Sequence, residues 1–478
     1  MTVHTGTDCM FAYHEATKHT IEKLRASPHN LDWINMPDPY RHYEGVPLLD
    51  LPATADRGAP LAWLLYHTAA ISAAKVVPST GYRYALRVNP SSGNLHPTEF
   101  HFATRGFPGW EDGLYHYRPS SHMVELRMRG RPDTPMDTLP DAGLVFVLTS
   151  IPWREAWKYR DRAYRYCLLD IGHAWGCLAL AAGEMGWTVK ACGHFADPDV
   201  AAAIGVTDEW PMLMVTIPLP GTPASAAPRE WLGGTPNVLS AHRIDYPSIG
   251  AIHECSSLAP PLGPVPRAAP PPPGKGEIVL PAPAAGGRPF AEVVRGRRSA
   301  LDFRGGWESI SKAQLAALLQ AASRPFHADF DPPFVSLYLY VHRVDGLERG
   351  VYRFWPDPPS LELLQTGDQR LMAAGLSLGQ DLAGNCCVAF SMVADLERAG
   401  RAFGNRAYRY CHFEAGHIGQ RLYITAETMG LQCTGIGAFY DDQVHRHLGI
   451  DPSQGQVIYH FAIGYAVHDP RLDAHSFR

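Results

Sequence analysis

The residues best suited to chemistry lie in Asn89-Pro90-Ser91-Ser92-Gly93-Asn94-Leu95-His96-Pro97. Two hydroxyls, a side-chain amide and several backbone N–H groups sit in a loop stiffened by prolines. The loop joins an apolar segment (residues 61–77) to an alternating one (residues 99–103). Those periodicities predict a helix before the loop and a strand after it. The donors and acceptors suit the edge of a flat imide ring, such as that of a flavin. An ordinary Ser/Asn/Gly/Pro turn uses the same residues for local reasons, and on this loop alone both readings stay open.

The elements that must position such a loop are duplicated. Arg162-Ala163-Tyr164-Arg165-Tyr166-Cys167 recurs as Arg406-Ala407-Tyr408-Arg409-Tyr410-Cys411, an offset of 244 residues. The same offset carries Gly172-His173 onto Gly416-His417, Met185-Gly186 onto Met429-Gly430 and Gly205 onto Gly449. Each copy predicts a long helix with apolar residues at helical spacing, then a loop, a short helix with an acidic start and an apolar strand. Two long copies do not make a solenoid; they suggest a fused dimer, an architecture in which ligands often bind at a two-fold interface.

At 478 residues the chain has room for two cores, each of roughly 200 residues. Residues 259–289, with the run Pro270-Pro271-Pro272-Pro273, read as an extended linker between units at 1–258 and 290–478. Forty-two basic and 47 acidic residues give a net charge of −5 without a Lys/Arg run, which argues against nucleic acid and anionic membrane as partners. The start has no signal-peptide pattern and no run of about 18 consecutive apolar residues occurs, so a cytoplasmic protein is expected. Nine cysteines without a Cys-x-x-Cys pair, and histidines without helical ligand spacing, predict neither a disulfide framework nor a metal site.

Taken together, the Pro90-to-Asn94 loop, Arg297-Arg298-Ser299-Ala300-Leu301-Asp302-Phe303, Glu414-Ala415-Gly416-His417 and Gly435-Ile436-Gly437 resemble the nitroreductase superfamily of flavin enzymes. The segment Tyr159-Arg160-Asp161-Arg162-Ala163-Tyr164-Arg165-Tyr166, the strand Gly350-Val351-Tyr352-Arg353-Phe354 and the tandem layout are similar to SagB-type dehydrogenases, whose best-known members oxidise peptide azolines to azoles. The resemblance implies an α+β fold of two nitroreductase-like α/β sandwich units, fused in one chain as an intramolecular pseudo-dimer that can be monomeric. It also implies FMN as cofactor.

In that family the Ser/Asn loop comes from one unit and the Arg-Arg-Ser segment from the other. This chain keeps one of each. Unit 1 has Pro90, Ser91, Ser92 and Asn94, but only Lys18-His19-Thr20 where a cationic segment would stand. Unit 2 has Arg297, Arg298 and Ser299, but its loop has become Asp331-Pro332-Pro333-Phe334-Val335-Ser336. One complete FMN site per chain is therefore expected. The resemblance assigns Arg297 and Arg471 to the phosphate, the loop to the pyrimidine edge, and a backbone N–H near Gly435, Ile436 and Gly437 to the flavin N5. Leu301 stands where the family often has a further basic residue.

Azoline oxidases carry a Lys-Tyr pair before the Arg-x-Tyr-Arg-Tyr segment, and Lys158-Tyr159 matches it; the second copy has Ala402-Phe403 instead. By resemblance Lys158 and Tyr159 are the catalytic candidates, base and partner. A lysine on an exposed helix start beside a packing tyrosine is the plainer reading. Three functions stay open: a dehydrogenase acting on a heterocycle or related C–N or C–C bond of a small molecule or modified peptide, an NAD(P)H-dependent nitro or quinone reductase, and a non-catalytic flavin-binding scaffold. Residues 1–51 serve either as a lid or as a packing arm.

Overall fold

The structure is a computed structural model and describes residues 6–28, 30–52, 57–130, 142–219, 228–330 and 332–473. The chain divides into two compact units. An amino-terminal unit comprises Leu31–Arg267 with His327–Asp331 and Asp473–Arg478, and a carboxy-terminal unit comprises Met1–Asn30, Ala268–Phe326 and Pro332–Leu472.

In the amino-terminal unit, antiparallel strands run in the spatial order 230–231, 123–129, 113–118, 98–104, 142–150, 210–218, 190–192. The carboxy-terminal sheet repeats the pattern as 278–279, 359–366, 350–356, 335–341, 388–394, 456–464, 432–436. The register makes positions in the two sheets equivalent. Glu99, His101, His116 and Glu125 correspond to Ser336, Tyr338, Arg353 and Glu362.

Each sheet packs against a 22-residue helix, Ala163–Glu184 or Ala407–Thr428, buried on nearly every side. A helix buried on nearly every side is the centre of its unit, polar residues such as Arg165, Asp170, Arg409 and Glu414 included. Residues 152–184 are long and apolar enough to span a membrane by composition, but 83% of the best window is buried inside the protein, as in a core helix. Left-handed glycines, Gly205 at φ 64° and Gly449 at φ 65°, end the short helices Asp197–Ile204 and Asp441–Leu448, where a side chain would be strained.

Two boundaries differ from the sequence reading. The first residues do not stay with unit 1: His14 Nδ1 meets the Tyr408 hydroxyl at 3.2 Å, and Lys18 Nζ pairs with Asp442 at 2.8 Å, so residues 8–26 form an arm on the carboxy-terminal unit. The proline-rich segment joins that same unit from Ala268. Proline cannot donate to a sheet, but Gly276 N donates to Ser360 Oγ, and Ile278–Val279 pair with Leu361 and Ser360.

Candidate active site

The loop folds inward. Ser92 donates from its backbone N at 3.1 Å and its hydroxyl at 2.9 Å to Asp170, which projects from the central helix and is 2% exposed. Ser91 Oγ accepts from His96 N at 2.8 Å. Asn94 gives its Nδ2 to Ala85 O, and its Oδ1 contacts His96 Nε2, both at 3.0 Å. These are the side chains expected to read a ring edge. Much of their hydrogen-bonding capacity goes instead into fixing the loop, which shifts recognition toward its backbone.

Gly93 explains the tight fit. Its φ is +60°, and a Cβ there would lie 2.6 Å from the Tyr159 hydroxyl and 3.1 Å from Lys158 Nζ. The loop thus lies against both catalytic candidates, which the structure brings together with Ser92 and Asp170. Pro90 precedes this contact as the rigid entry to the turn. Lys158 and Tyr159 end the helix Pro152–Tyr159, and Arg160 follows at φ +50°, where the other unit has Gly404 at φ +57°. A non-glycine residue there stores strain next to the two side chains.

The carboxyls around the loop are protonation-sensitive. Burial pushes Asp170 up to about 7, partly offset by its bonds from Ser91 and Ser92. Glu155, one turn before Lys158 and Tyr159, has both oxygens enclosed without a hydrogen-bond partner. Burial, then the nearby Asp170, raises its pKa well above the usual carboxylate range, against the pull of Lys158. A neutral Glu155 leaves Lys158 without an ion-pair partner three residues away. Burial, then Glu155, Tyr166 and Asp170, holds the Tyr159 hydroxyl well above its ordinary pKa, so Tyr159 stays a phenol and can donate.

Behind the loop lies a buried ionic network. Arg154 donates to His96 O at 2.7 Å and also pairs with Glu99; His116 contacts Glu125 at 2.8 Å and Glu99 at 3.4 Å. Arg41 and His101 close on Glu209, each at 3.0 Å. Burial opposes charge at Glu99, but Arg154 and His116 hold its pKa down to about 2. The loop's backbone is thereby tied to a charged core.

Asp170 gives a pH prediction. Its pKa of about 7 exceeds the unfolded value of ~3.9, so between those pH values the unfolded chain releases a proton that the native protein keeps. Stability contributed by the neutral carboxyl is complete below that window and is lost as pH rises through it, a change on the order of 4 kcal/mol. Asp170→Asn imitates the neutral form. Urea midpoints at pH 5 and pH 7.5 should therefore fall less in the variant than in the parent protein, and parallel falls would refute the assignment.

The cationic segment belongs to the carboxy-terminal unit. Tyr423, from the central helix, gathers three predicted residues: its ring lies 4.9 Å from the Arg297 guanidinium, and its hydroxyl contacts Ser299 Oγ at 2.8 Å and accepts from Gly435 N at 3.1 Å. Gly435 is required there, since a Cβ would lie 1.9 Å from the Tyr459 hydroxyl. Its N–H is committed to Tyr423, and Ile436 lies in the strand facing His460. Arg298 turns back to donate to Arg295 O and Arg297 O, capping the helix Phe290–Gly296 rather than facing outward. Arg471 forms a two-point pair with Asp469 at 2.8 Å.

The donor set fits a phosphate. Arg297 is 3% exposed, and burial together with Arg297 and Arg295 lowers the Arg298 pKa to about 10, with Glu427 the opposing carboxylate. Cations crowded together match an anionic group. Lys18-His19-Thr20 do not duplicate it: Lys18 pairs with Glu15 and Asp442, and Thr20 caps the helix Ile21–Ala26.

The opposite members of each set are altered. Glu414, equivalent to Asp170, accepts from Phe334 N at 2.7 Å and Val335 N at 3.1 Å, and burial raises it to about 7. The polar loop has become Pro332-Pro333-Phe334 there, with Asp331 outside the described residues. Asp170, Glu155 and Tyr423 were not singled out in the sequence. An acidic residue recurring at positions 170 and 414, at the same place in the two repeated helices, was the available signal. Among the described residues no cluster of three or more His, Cys, Asp or Glu could hold a metal.

Comparison with known proteins agrees with this geometry. One solved structure spans almost the whole chain: a crystal structure from Anabaena variabilis, provisionally named a nitroreductase, is 26% identical, has a TM-score of 0.78 and covers 96% of this chain and 99% of its own. A provisionally named nitroreductase of Methanocaldococcus jannaschii is 33% identical over 119 residues, which are 24% of this chain; the chain spans 59% of that relative's length. Residues 68–219 and 294–465 both match the nitroreductase family, whose members are flavin-dependent oxidoreductases. With two matched segments that account for most of its length, the chain belongs to the nitroreductase family.

Proposed function

We propose that the protein is an FMN-dependent dehydrogenase of the SagB type. It would remove a hydride and a proton across a C–N or C–C bond of a heterocycle in a small molecule or modified peptide. One observation carries this reading: Lys158 Nζ and the Tyr159 hydroxyl lie against Gly93 in the intact polar loop, whereas the second copy has Ala402 and Phe403 behind an altered loop. Each cofactor-binding set occurs once, which supports one FMN per chain. Arg297 and Ser299 suit its phosphate, and the Ser91-to-Asn94 loop suits its ring edge.

Bound FMN supplies the hydride acceptor. Lys158 Nζ takes the proton released from substrate carbon, while Tyr159, held as a phenol, donates a hydrogen bond to the substrate heteroatom. Neutral Glu155 leaves Lys158 free of a carboxylate partner, and Asp170 keeps the loop in place.

The alternative is a nitro or quinone reductase that draws hydride from NAD(P)H. Anaerobic mixing separates the two. A thiazoline or oxazoline substrate should bleach the flavin band within the turnover time, with NADH or NADPH slower. Fast bleaching by a nicotinamide with none by azolines would overturn the dehydrogenase reading.

A further inference from the structure

The carboxy-terminal unit contains a cavity of about 1170 Å³, on the sheet face that in the amino-terminal unit is filled by the buried ionic network. Corresponding residues show why one is filled and the other open. In the amino-terminal unit His116 is clamped between Glu125 at 2.8 Å and Glu99 at 3.4 Å, and Arg41 reaches Glu209 from a strap of chain that passes Arg154. In the carboxy-terminal unit Arg353 takes the place of His116 and Ser336 that of Glu99. Glu362, the counterpart of Glu125, accepts from Trp355 Nε1 at 2.9 Å instead. The strap is replaced by the proline-rich segment: Arg398 donates to Ala269 O at 2.8 Å as Arg154 does to Asp38 O. Pro270 to Pro273 then line the cavity and send no cation into it.

Among the described residues Arg353 makes no ion pair, although Glu362 stands opposite it in the sheet register. Its guanidinium lies 3.9 Å from the Trp355 ring centre and 5.7 Å from that of Tyr338, and its Nε is enclosed with no hydrogen-bond partner. The other carboxylates of the lining are engaged elsewhere. Asp395 pairs with Arg398 at 3.1 Å, Glu397 faces Arg401 at 3.9 Å, and Glu414 holds the Phe334 and Val335 N–H groups; Asp357 is exposed at the rim. An enclosed donor without an acceptor is unfavourable, and a guanidinium held flat on an indole presents its remaining N–H groups to a planar anion. The walls beside it are Trp355, Tyr338, Phe334 and prolines, which favour a flat apolar body.

We propose that this cavity binds a small aromatic carboxylate, its ring among Trp355, Tyr338 and Phe334 and its carboxylate beside Arg353, where Glu99 stands beside His116 in the other unit. The site is separate from the residues assigned to FMN and does not depend on that assignment.

Isothermal titration of the full-length, FMN-loaded protein with 1-naphthoate, and with 1-naphthamide as the uncharged analogue, tests this. Saturable naphthoate binding is expected. It should be at least about tenfold weaker for the amide and for Arg353→Met, the worth of one charge-assisted hydrogen bond. Trp355→Leu should weaken both ligands. The flavin visible band should not change as naphthoate saturates, since a ligand stacked on flavin would perturb it. Equal affinity for acid and amide, an unaltered affinity in folded Arg353→Met, a spectral change that tracks binding, or no saturable binding would each overturn the proposal. The acid-to-amide comparison needs no variant, so it decides the matter even if Arg353→Met fails to fold.

Discussion

Lys158→Met should lower turnover of an azoline substrate by about 10² to 10⁴-fold, the usual contribution of a positioned general base. The side chain has no ion-pair partner among the described residues, and its nitrogen lies beside the Gly93 turn. Methionine keeps the aliphatic stem and removes only the proton acceptor. FMN content should therefore stay at the parent level, and the loss should appear in the anaerobic bleaching step itself. Tyr159→Phe should have a smaller effect, because the phenol donates a hydrogen bond and does not take the proton. Bleaching at the parent rate in Lys158→Met would remove Lys158 from the chemistry.

Arg297→Ala should weaken FMN binding about 10- to 150-fold, the equivalent of one charge-assisted hydrogen bond of ~1.5–3 kcal/mol. The guanidinium is buried over Tyr423, and Arg298 beside it in sequence turns back to cap a helix. Arg297→Lys keeps the charge but loses the planar fork, so it should recover only part of the affinity. Titrating flavin-stripped protein with FMN, with thermal melting as the check on folding, gives the comparison. An unchanged dissociation constant for Arg297→Ala would exclude this arginine from the phosphate site.

The duplicated fold was legible because its signal is long. Repeated Arg-Ala-Tyr-Arg-Tyr-Cys segments, glycines at matching offsets and apolar strands fix two similar units without any knowledge of packing. What packs on each unit was not legible. An arm such as residues 8–26 carries no local mark of the surface that will bury it, and a run of prolines looks the same free or docked. The single residues that shape the site were hidden for a related reason. Asp170 and Tyr423 lie in helices buried on every side, where one polar side chain reads as part of the core until its partner is seen. Arg298 shows how a sequence pair can diverge: beside Arg297 in the chain, it donates back to Arg295 O and Arg297 O at the end of the helix that stops at Gly296.

The loop also refines the meaning of its own composition. Ser92 and Asn94 are polar in a way that suits a ligand, yet their hydrogen bonds to Asp170, Ala85 and His96 go first to holding the turn. Such a loop is rigid before any ligand arrives, which lowers the ordering cost of binding.

The most direct measurement is the amount of FMN released by heat per chain of purified, FMN-saturated protein. The account predicts one, because the polar loop and the cationic segment each occur once. Two per chain would show that the altered loop at Phe334 and the residues opposite it still bind flavin; none, after incubation with excess FMN, would contradict the flavin assignment itself.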